Sequence, residues 1–327
     1  MKILMISSYY HPYIGGAELY CKEVAERLVN KGYEVHVLTK NLSNLKEYEF
    51  INKVHVHRIK TPNINFLRSA LSFNKFLRKA RSMIKDTDLI HAHITYPNGM
   101  LAYKLSRKYQ MPYIITLQGD ELMNYPEKKP LKLLKPLIKK TLRNADHVHC
   151  ISNALKQIAI KEFQVNQDKI TIIPNGVNLS YFKKAKPYIF PYKRPIAITV
   201  SRLSKKNGID LLLKIIQKIP DISLVIIGSG PEKTELQNYV NKNKLNVYFL
   251  GEKENKEIPS LLKGADLFIR TPRTEGLGIA FLEAMASKIP IVTINVGGIT
   301  DIVINEFNGL TSDMNNHKII QNILRLI

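Results

Sequence analysis

Short apolar runs of strand length alternate with helix-length amphipathic segments from the first residue, and the alternation restarts past the middle of the chain. KILMISS (2–8), EVHVLTK (34–40), VHVHRIK (54–60), DLIHAH (88–93), YIITLQG (113–119), HVHCIS (147–152) and KITIIPN (169–175) read as strands. Helical segments fill most of the gaps, among them 16–31, which closes on Gly32, and 66–85. A strand that returns parallel to its predecessor needs a long crossover, usually a helix, so this rhythm predicts parallel sheets. The stretch KKAKPYIFPYKRP (183–195) has prolines at 187, 191 and 195, which continue neither a helix nor a central strand. The rhythm then restarts with IAITVSR (196–202), ISLVIIG (222–228), VYFLG (247–251), DLFIR (266–270) and IVTIN (291–295), interleaved with helical segments near 207–218, 231–243, 255–263 and 278–288. The 327 residues also suit two domains. The expectation is an α/β chain of two doubly wound parallel sheets facing across a cleft, with domains 1–186 and 187–327. Ligands in such sheets sit where strands end at their carboxyl side.

Charge narrows the partner. Lys and Arg number 49 against 27 Asp and Glu, a formal net charge of +22. Residues 1–190 hold 31 basic and 14 acidic residues (+17), and residues 191–327 hold 18 and 13 (+5). A basic first half suits an anionic partner: nucleic acid, acidic lipid or a phosphorylated small molecule. Solubility alone accounts for the excess equally well. No zinc-finger, RRM or KH signature accompanies the charge, which argues against nucleic acid. No apolar run approaches the roughly 20 residues of a membrane span. MKILMISSYY reads as a buried strand, not a signal peptide. Cys21 and Cys150 lack metal or redox spacing, so reduced thiols in a cytoplasmic protein are expected.

The loops that follow strands carry the candidate chemistry. Gly15 and Gly16 sit between the first strand and a helix, where the backbone can approach an anion closely. The spacing is not GxGxxG, so the dinucleotide fingerprint fails. Histidines pair as HxH at 55/57, 91/93 and 147/149. Without a third ligand nearby, these pairs read as strand composition, and no metal is expected. His93, at a strand end, is the one placed to line the cleft. Gln118 and Asp120 follow the strand 113–119 and suit either sugar hydroxyls or a helix cap. Arg202, Lys205 and Lys206 follow a strand and precede a helix, a placement that suits a diphosphate. Gly228 and Gly230 make a second such turn. In TEGLGIAFLEAMA (274–286), Gly276 and Gly278 open an apolar helix, with Glu275 in the loop and Glu283 two turns into the helix. The spacing admits a glycosidase acid/base pair, but the neighbouring basic residues favour a nucleotide-sugar clamp.

Taken in order, these motifs resemble the retaining glycosyltransferases of family GT4, which have the GT-B fold of two Rossmann-like domains. The matching segments are G15-G16-A-E18, IIPNGVN (172–178), Arg202 with its lysines, GSGPE (228–232), YFLGE (248–252), Glu275-x7-Glu283 and GGITDIV (297–303) followed by NG (308–309). The resemblance covers essentially the whole chain. It implies sugar transfer from a nucleotide-diphosphate donor, with retention, no metal and no cofactor. It implies a catalytic set of Gln118, Arg202, Lys206 and Glu275. Arg202 with Lys205 or Lys206 would neutralise the diphosphate, and Glu283 would bind the donor ribose. Glu275 and the backbone of Gly276, Leu277, Gly278 and Ile279 would bind sugar and phosphates. Gly15, Gly16, Asn175, Gly228, Gly230 and Glu252 complete the implied donor side, and His93 and Asp120 the acceptor side.

The chain departs from the pattern in four places. Relatives carry Arg-x4-Lys-Gly, whereas Asn207 precedes Gly208 here and the lysine stands one place earlier, at 206. Gln118 stands where relatives often have His, and Asp301 where Glu is usual. Relatives also continue through further helices beyond the position of Ile327, so the second domain is expected to be truncated. The alternatives to an enzyme are a non-catalytic nucleotide-sugar-binding subunit and a basic nucleic-acid-binding protein.

The segment KKPLKLLKPLIKKTLR (128–143) places Leu134, Leu137, Ile138 and Leu142 on one helical stripe flanked by lysines, with Pro136 requiring a kink or restart. FLRSALSFNKFLRKARSMIK (66–85) is a second basic segment in the same domain. Such helices suit an anionic bilayer surface, although every doubly wound domain has such helices, and a stripe packed on its own sheet is the simpler explanation. The expectation is a cytoplasmic protein at the inner face of the membrane, acting on a lipid-linked or envelope-polysaccharide acceptor.

Overall fold

The computed structural model describes residues 1–13, 15–41, 44–60, 66–123 and 133–327, the side chains of 66–72, 120 and 121 excepted. The chain divides into two compact units, Met1–Pro174 and Asn175–Ile327. The division falls 12 residues before the expected boundary at 186/187, because the residues after it belong to the second core. Phe182, on the helix Leu179–Lys184, and Phe190 are both buried there. The proline-spaced segment is thus part of the second unit's wall, pinned by the Tyr188 N–H donating to the Ser260 carbonyl at 2.9 Å.

The first unit is built on eight strands: β1 (Lys2–Ile6), β2 (Glu34–Asn41), β3 (Tyr48–Ile51), β4 (Val54–Lys60), β5 (Leu89–His93), β6 (Tyr113–Leu117), β7 (His147–Cys150) and β8 (Ile170–Ile172). Their order is β3-β4-β2-β1-β5-β6-β7-β8. All neighbours are parallel except β3 and β4, a hairpin that the alternation did not predict. The second unit carries β9 (Ile196–Val200), β10 (Ser223–Ile227), β11 (Val247–Gly251), β12 (Leu267–Arg270), β13 (Ile291–Ile294) and β14 (Leu310–Ser312), in the order β11-β10-β9-β12-β13-β14. Every pairing in that sheet is parallel.

Strands covered on both faces read as continuous apolar runs, and the second sheet shows why. Ala197, Leu224, Ile226, Leu267 and Ile269 pack into one core with the helix Ile209–Ile216. The alternate residues Ile196, Ile198, Val225, Ile227 and Phe268 pack into the other, with Phe281 and Ala284 of the helix Ile279–Ala286. Each sheet is wound outward from a point where strand order reverses, between β1 and β5 in the first and between β9 and β12 in the second. Loops leaving adjacent strands at such a point run to opposite faces and leave a crevice at the strands' carboxyl ends.

Candidate active site

The loops that leave β9 and β12 flank the second unit's switch point and are locked together. Gly208 closes the β9 loop at φ +65°, and any Cβ there would overlap the Thr271 carbonyl oxygen. Thr271 returns a hydrogen bond from Oγ1 to the Gly208 carbonyl at 2.9 Å. The Arg273 N–H donates to the Lys206 carbonyl at 2.7 Å. Gly228 and Gly230 bring the turn after β10 against the same loop, and a Cβ at either would strike the carbonyl of Ser201 or Leu203. The GSG turn is therefore glycine because of close backbone approach.

The basic cluster sorts itself by partner. Arg202 is exposed. Lys205 is exposed too, with Nζ 3.6 Å from Asp210 Oδ2. Asp210 is held chiefly by a fork from Arg273, at 2.8 and 2.7 Å. Arg273's hydrogen bond, the largest influence, keeps the Asp210 carboxyl below its ordinary range. Lys206 is half-buried.

The β12 loop presents Glu275 and then opens a helix. Glu275 Oε1 accepts from the Gly276 N–H at 3.0 Å. Its carbonyl accepts from the Gly298 N–H at 3.0 Å, and Gly297, at φ +54°, lies too close to that carbonyl to carry a side chain. Gly276 and Leu277 are buried; Gly278, at φ +81°, precedes the helix Ile279–Ala286. The first amide groups of that helix are unsatisfied within it and can receive an anion. Glu283 is the fifth residue of the helix, one turn in, where two were expected. Its carboxyl is pushed up to about 7 by burial, with Arg270 pulling the other way.

Arg270 is the residue that the sequence did not single out. It ends β12, is buried, and donates from Nη2 to Asn207 Oδ1 at 3.0 Å. Nη1 stands 3.0 Å from Glu275 Oε2, and the guanidinium lies 5.4 Å from the Phe281 ring centre. Asn207, where the family resemblance led to an expected lysine, is buried and donates from Nδ2 to the Arg202 carbonyl at 2.6 Å. One buried cation thus ties together the loop of Arg202, the carboxylate of Glu275 and the helix of Glu283. The available signal was an arginine ending the otherwise apolar strand LFIR.

The remaining candidates are placed as follows. Glu252 is exposed after β11. Asn175 is buried, and its Oδ1 has no hydrogen-bond partner among the described residues. In the first unit, Gly15 precedes the helix Gly16–Asn30 in extended conformation, and a Cβ on it would collide with the Glu18 carboxylate. His93 is buried at the end of β5, neither ring nitrogen has a hydrogen-bond partner among the described residues, and burial holds the ring neutral. Gln118 follows β6 and is half-buried. The Asp120 side chain, residues 128–132 and the side chains of 66–72 lie outside the described residues. The helix Lys135–Arg143 begins just before Pro136, a position that tolerates proline. Ile138 and Leu142 of the expected stripe are buried in the first unit itself. Among the described residues, no helix is long and apolar enough to cross a membrane.

Comparison with known proteins gives the family. Residues 14–181 match the model for Glycosyltransferase Family 4, and residues 181–327 match Glycosyl transferases group 1. An uncharacterized glycosyltransferase of Methanocaldococcus jannaschii is 31% identical over 330 residues, covering 100% of this chain and 88% of its own. The UDP-Gal:alpha-D-GlcNAc-diphosphoundecaprenol alpha-1,3-galactosyltransferase of Escherichia coli is 28% identical, covering 93% and 82%. Among solved structures, Anabaena HepE in complex with UDP and glucose superposes with a TM-score of 0.80 at 19% identity, covering 99% of this chain and 89% of that one. Two parallel-sheet α/β units with these matches have the GT-B fold, and the chain belongs to the family 4 glycosyltransferases of group 1, transferases of the EC 2.4 type.

Proposed function

We propose that the chain transfers a glycosyl group from a nucleoside-diphosphate sugar, with retention of anomeric configuration and without a metal ion. The observation that carries this reading is the convergence of Arg202, Lys206, Glu275 and the glycine-opened helix of Glu283 at one switch point. Arg202 and Lys206 take the diphosphate, since fixed cations can neutralise a leaving group as its charge develops. Lys205 stands aside with Asp210. The amides of Gly276, Leu277, Gly278 and Ile279 receive phosphate or sugar oxygens, with Glu275, aimed by Arg270, on the sugar. Glu283 takes the ribose. Gly228, Gly230, Glu252 and Asn175 border the donor. Gly15, Gly16, Gln118, His93 and Asp120 are the first unit's candidates for phosphate and acceptor binding.

The Escherichia coli relative uses UDP-Gal and a GlcNAc-diphosphoundecaprenol acceptor, and HepE binds UDP and glucose. Both support a UDP-sugar donor. The former, with the basic first half, supports a lipid-linked acceptor of cell-envelope polysaccharide synthesis, met by a cytoplasmic enzyme at an anionic membrane surface.

The test is a panel of nucleotide sugars offered with polyprenyl-diphosphate-linked acceptors, in buffer with and without EDTA, with product anomers read by NMR. Transfer with retention, unaffected by EDTA, is the expected result. Donor binding without transfer to any acceptor, or inverted product, overturns the reading. Co-sedimentation with anionic but not neutral vesicles, lost at high salt, checks the membrane contact.

A further inference from the structure

A second cluster of chemistry-bearing residues lies in the first unit, on strands that the glycosyl-transfer reading does not use. β2 and β4 run parallel with His36 opposite His55 and Leu38 opposite His57. Residues two apart on a strand share a face, so Glu34 and His36 of β2 stand beside His55 and His57 of β4. The antiparallel β3 adds Tyr48 at the same edge. His36 Nε2 is 2.7 Å from Glu34 Oε1, and His36 Nδ1 is 3.0 Å from His57 Nε2. His55 Nδ1 is 2.8 Å from Tyr48 Oη. Ligand atoms of Glu34, His36 and His55 all lie within 4.8 Å of one another. The HxH pair at 55/57 lacked a third ligand in the sequence; strand register supplies it from 20 residues away.

We propose that Glu34, His36 and His55 form a binding site for a divalent transition-metal ion of the zinc type, with water completing its shell. Two imidazoles and a carboxylate suit zinc, copper, nickel or cobalt, whereas magnesium and calcium prefer all-oxygen sets. Metal-bound histidines usually donate their second ring N–H to a neighbour, which fixes the ring and its tautomer. Both neighbours are in place. With the ion bound, the neutral His36 ring carries its proton on Nδ1 and donates it to His57 Nε2, and His55 Nδ1–H donates to Tyr48 Oη, so each ring offers Nε2 to the ion. Without the ion, the neutral His36 ring holds its proton on Nε2 toward Glu34 and accepts from His57 Nε2–H. As the metal takes Nε2 of His36, the His36 and His57 rings both change to the Nδ1–H tautomer by exchange with water, with no net loss of a proton.

Closing the shell requires small movements. Ligands at about 2.1 Å on a tetrahedron stand about 3.4 Å apart, so Glu34 draws back from His36. His55 turns out of its stack on His36, where the ring centres are 4.4 Å apart. Lys2, whose Nζ is 3.3 Å from Glu34 Oε1, gives up that oxygen. Glu34 is exposed and both rings are half-buried, so these side chains have room to move. Glu34 and His36 lie in the first three residues of β2. The ion therefore joins two strands near the sheet edge at their amino-terminal halves, away from the carboxyl ends where the candidate transfer residues lie, and it stabilises the fold.

The experiment uses the full chain, stripped with EDTA and dialysed, then titrated with zinc by calorimetry and with cobalt by visible absorption. One saturable equivalent, the intense absorption of four-coordinate cobalt and a higher melting temperature with zinc are expected. H36Q and H55Q should each weaken binding at least tenfold. Y48F and H57Q, which touch only the second ring nitrogens, should weaken it about 10- to 100-fold. Melting temperatures in EDTA check that each variant folds, and E34Q replaces any that does not. Zinc binding of unchanged affinity in the H36Q/H55Q double variant, or no saturable site in the parent chain, overturns the proposal. Glycosyl transfer plays no part in the readout, so the two readings fail separately.

Discussion

Arg270 donates to Asn207 at 3.0 Å across the seam between the loops that leave β9 and β12, and its other terminal nitrogen meets Glu275 at the same distance. A single buried guanidinium therefore sets the relative position of two loops, through a bond between residues 63 apart in the chain. The register of the candidate donor site depends on it.

Replacing Arg270 with Met leaves Glu275 unpaired and removes the donor to Asn207. Removing one partner of a buried ion pair typically costs about 3–5 kcal/mol. Urea unfolding should show a loss of that order for R270M and a smaller one for R270K, which keeps the charge but not the fork. A stability unchanged in both variants would remove Arg270 from this role.

Glu283 predicts a pH dependence. Its folded carboxyl is raised from an ordinary 4.5 to about 7. Below pH 4.5 it is protonated folded or unfolded, and contributes nothing to the slope. Between about 4.5 and 7 the unfolded chain ionises first, so the stability that the protonated form provides declines as pH rises, at up to about 1.4 kcal/mol per unit. Above 7 the decline stops. E283Q should flatten this segment of the stability–pH curve. If the carboxylate holds the donor ribose, donor KM should fall as pH rises through 7 in the parent chain and stay level in E283Q.

The two lysines should separate. Lys206→Ala is expected to weaken donor binding by about 10- to 100-fold, the loss of one charge-assisted bond of about 1.5–3 kcal/mol. Lys205→Ala, whose amine faces Asp210, should change it about twofold at most, a surface pair being worth roughly 0–1 kcal/mol. Calorimetry with the nucleoside diphosphate distinguishes them, and the reverse ranking would move the diphosphate site to Lys205.

Gly208 and Gly32 make a matched pair. Both have positive φ, at +65° and +89°, but a Cβ on Gly208 strikes the Thr271 carbonyl while one on Gly32 meets nothing within 4 Å. Gly32→Ala carries only backbone strain, about 1 kcal/mol. Gly208→Ala adds displacement of the β12 loop, and should lower both the melting temperature and donor affinity further. Equal effects at the two positions would mean that the loops are not locked as described.

Much of the fold was legible in one dimension. Strands covered on both faces read as nearly continuous apolar runs, and their spacing announced two doubly wound sheets before any pairing was known. The order Arg202, Gly228, Glu275, Gly278, Glu283 also carried the family resemblance, because glycines forced by close backbone approach and carboxylates beside a helix start are local features. The hairpin strand β3 and the short β14 escaped, having few residues and weak periodicity. The unit boundary at Pro174 escaped because proline spacing marks where regular structure stops, not which core the next aromatic residues enter.

What only the tertiary structure decided was partnership. DLFIR shows an arginine at a strand end, but not that β12 lies beside β9, which brings Arg270 to Asn207. HxH at 55/57 shows two rings on one face, but not that the parallel register sets His36 and Glu34 beside them. Local pattern follows from each segment's own backbone periodicity and its need to bury apolar surface. Pairing across a sheet follows from long-range strand order, which no short stretch of the chain encodes.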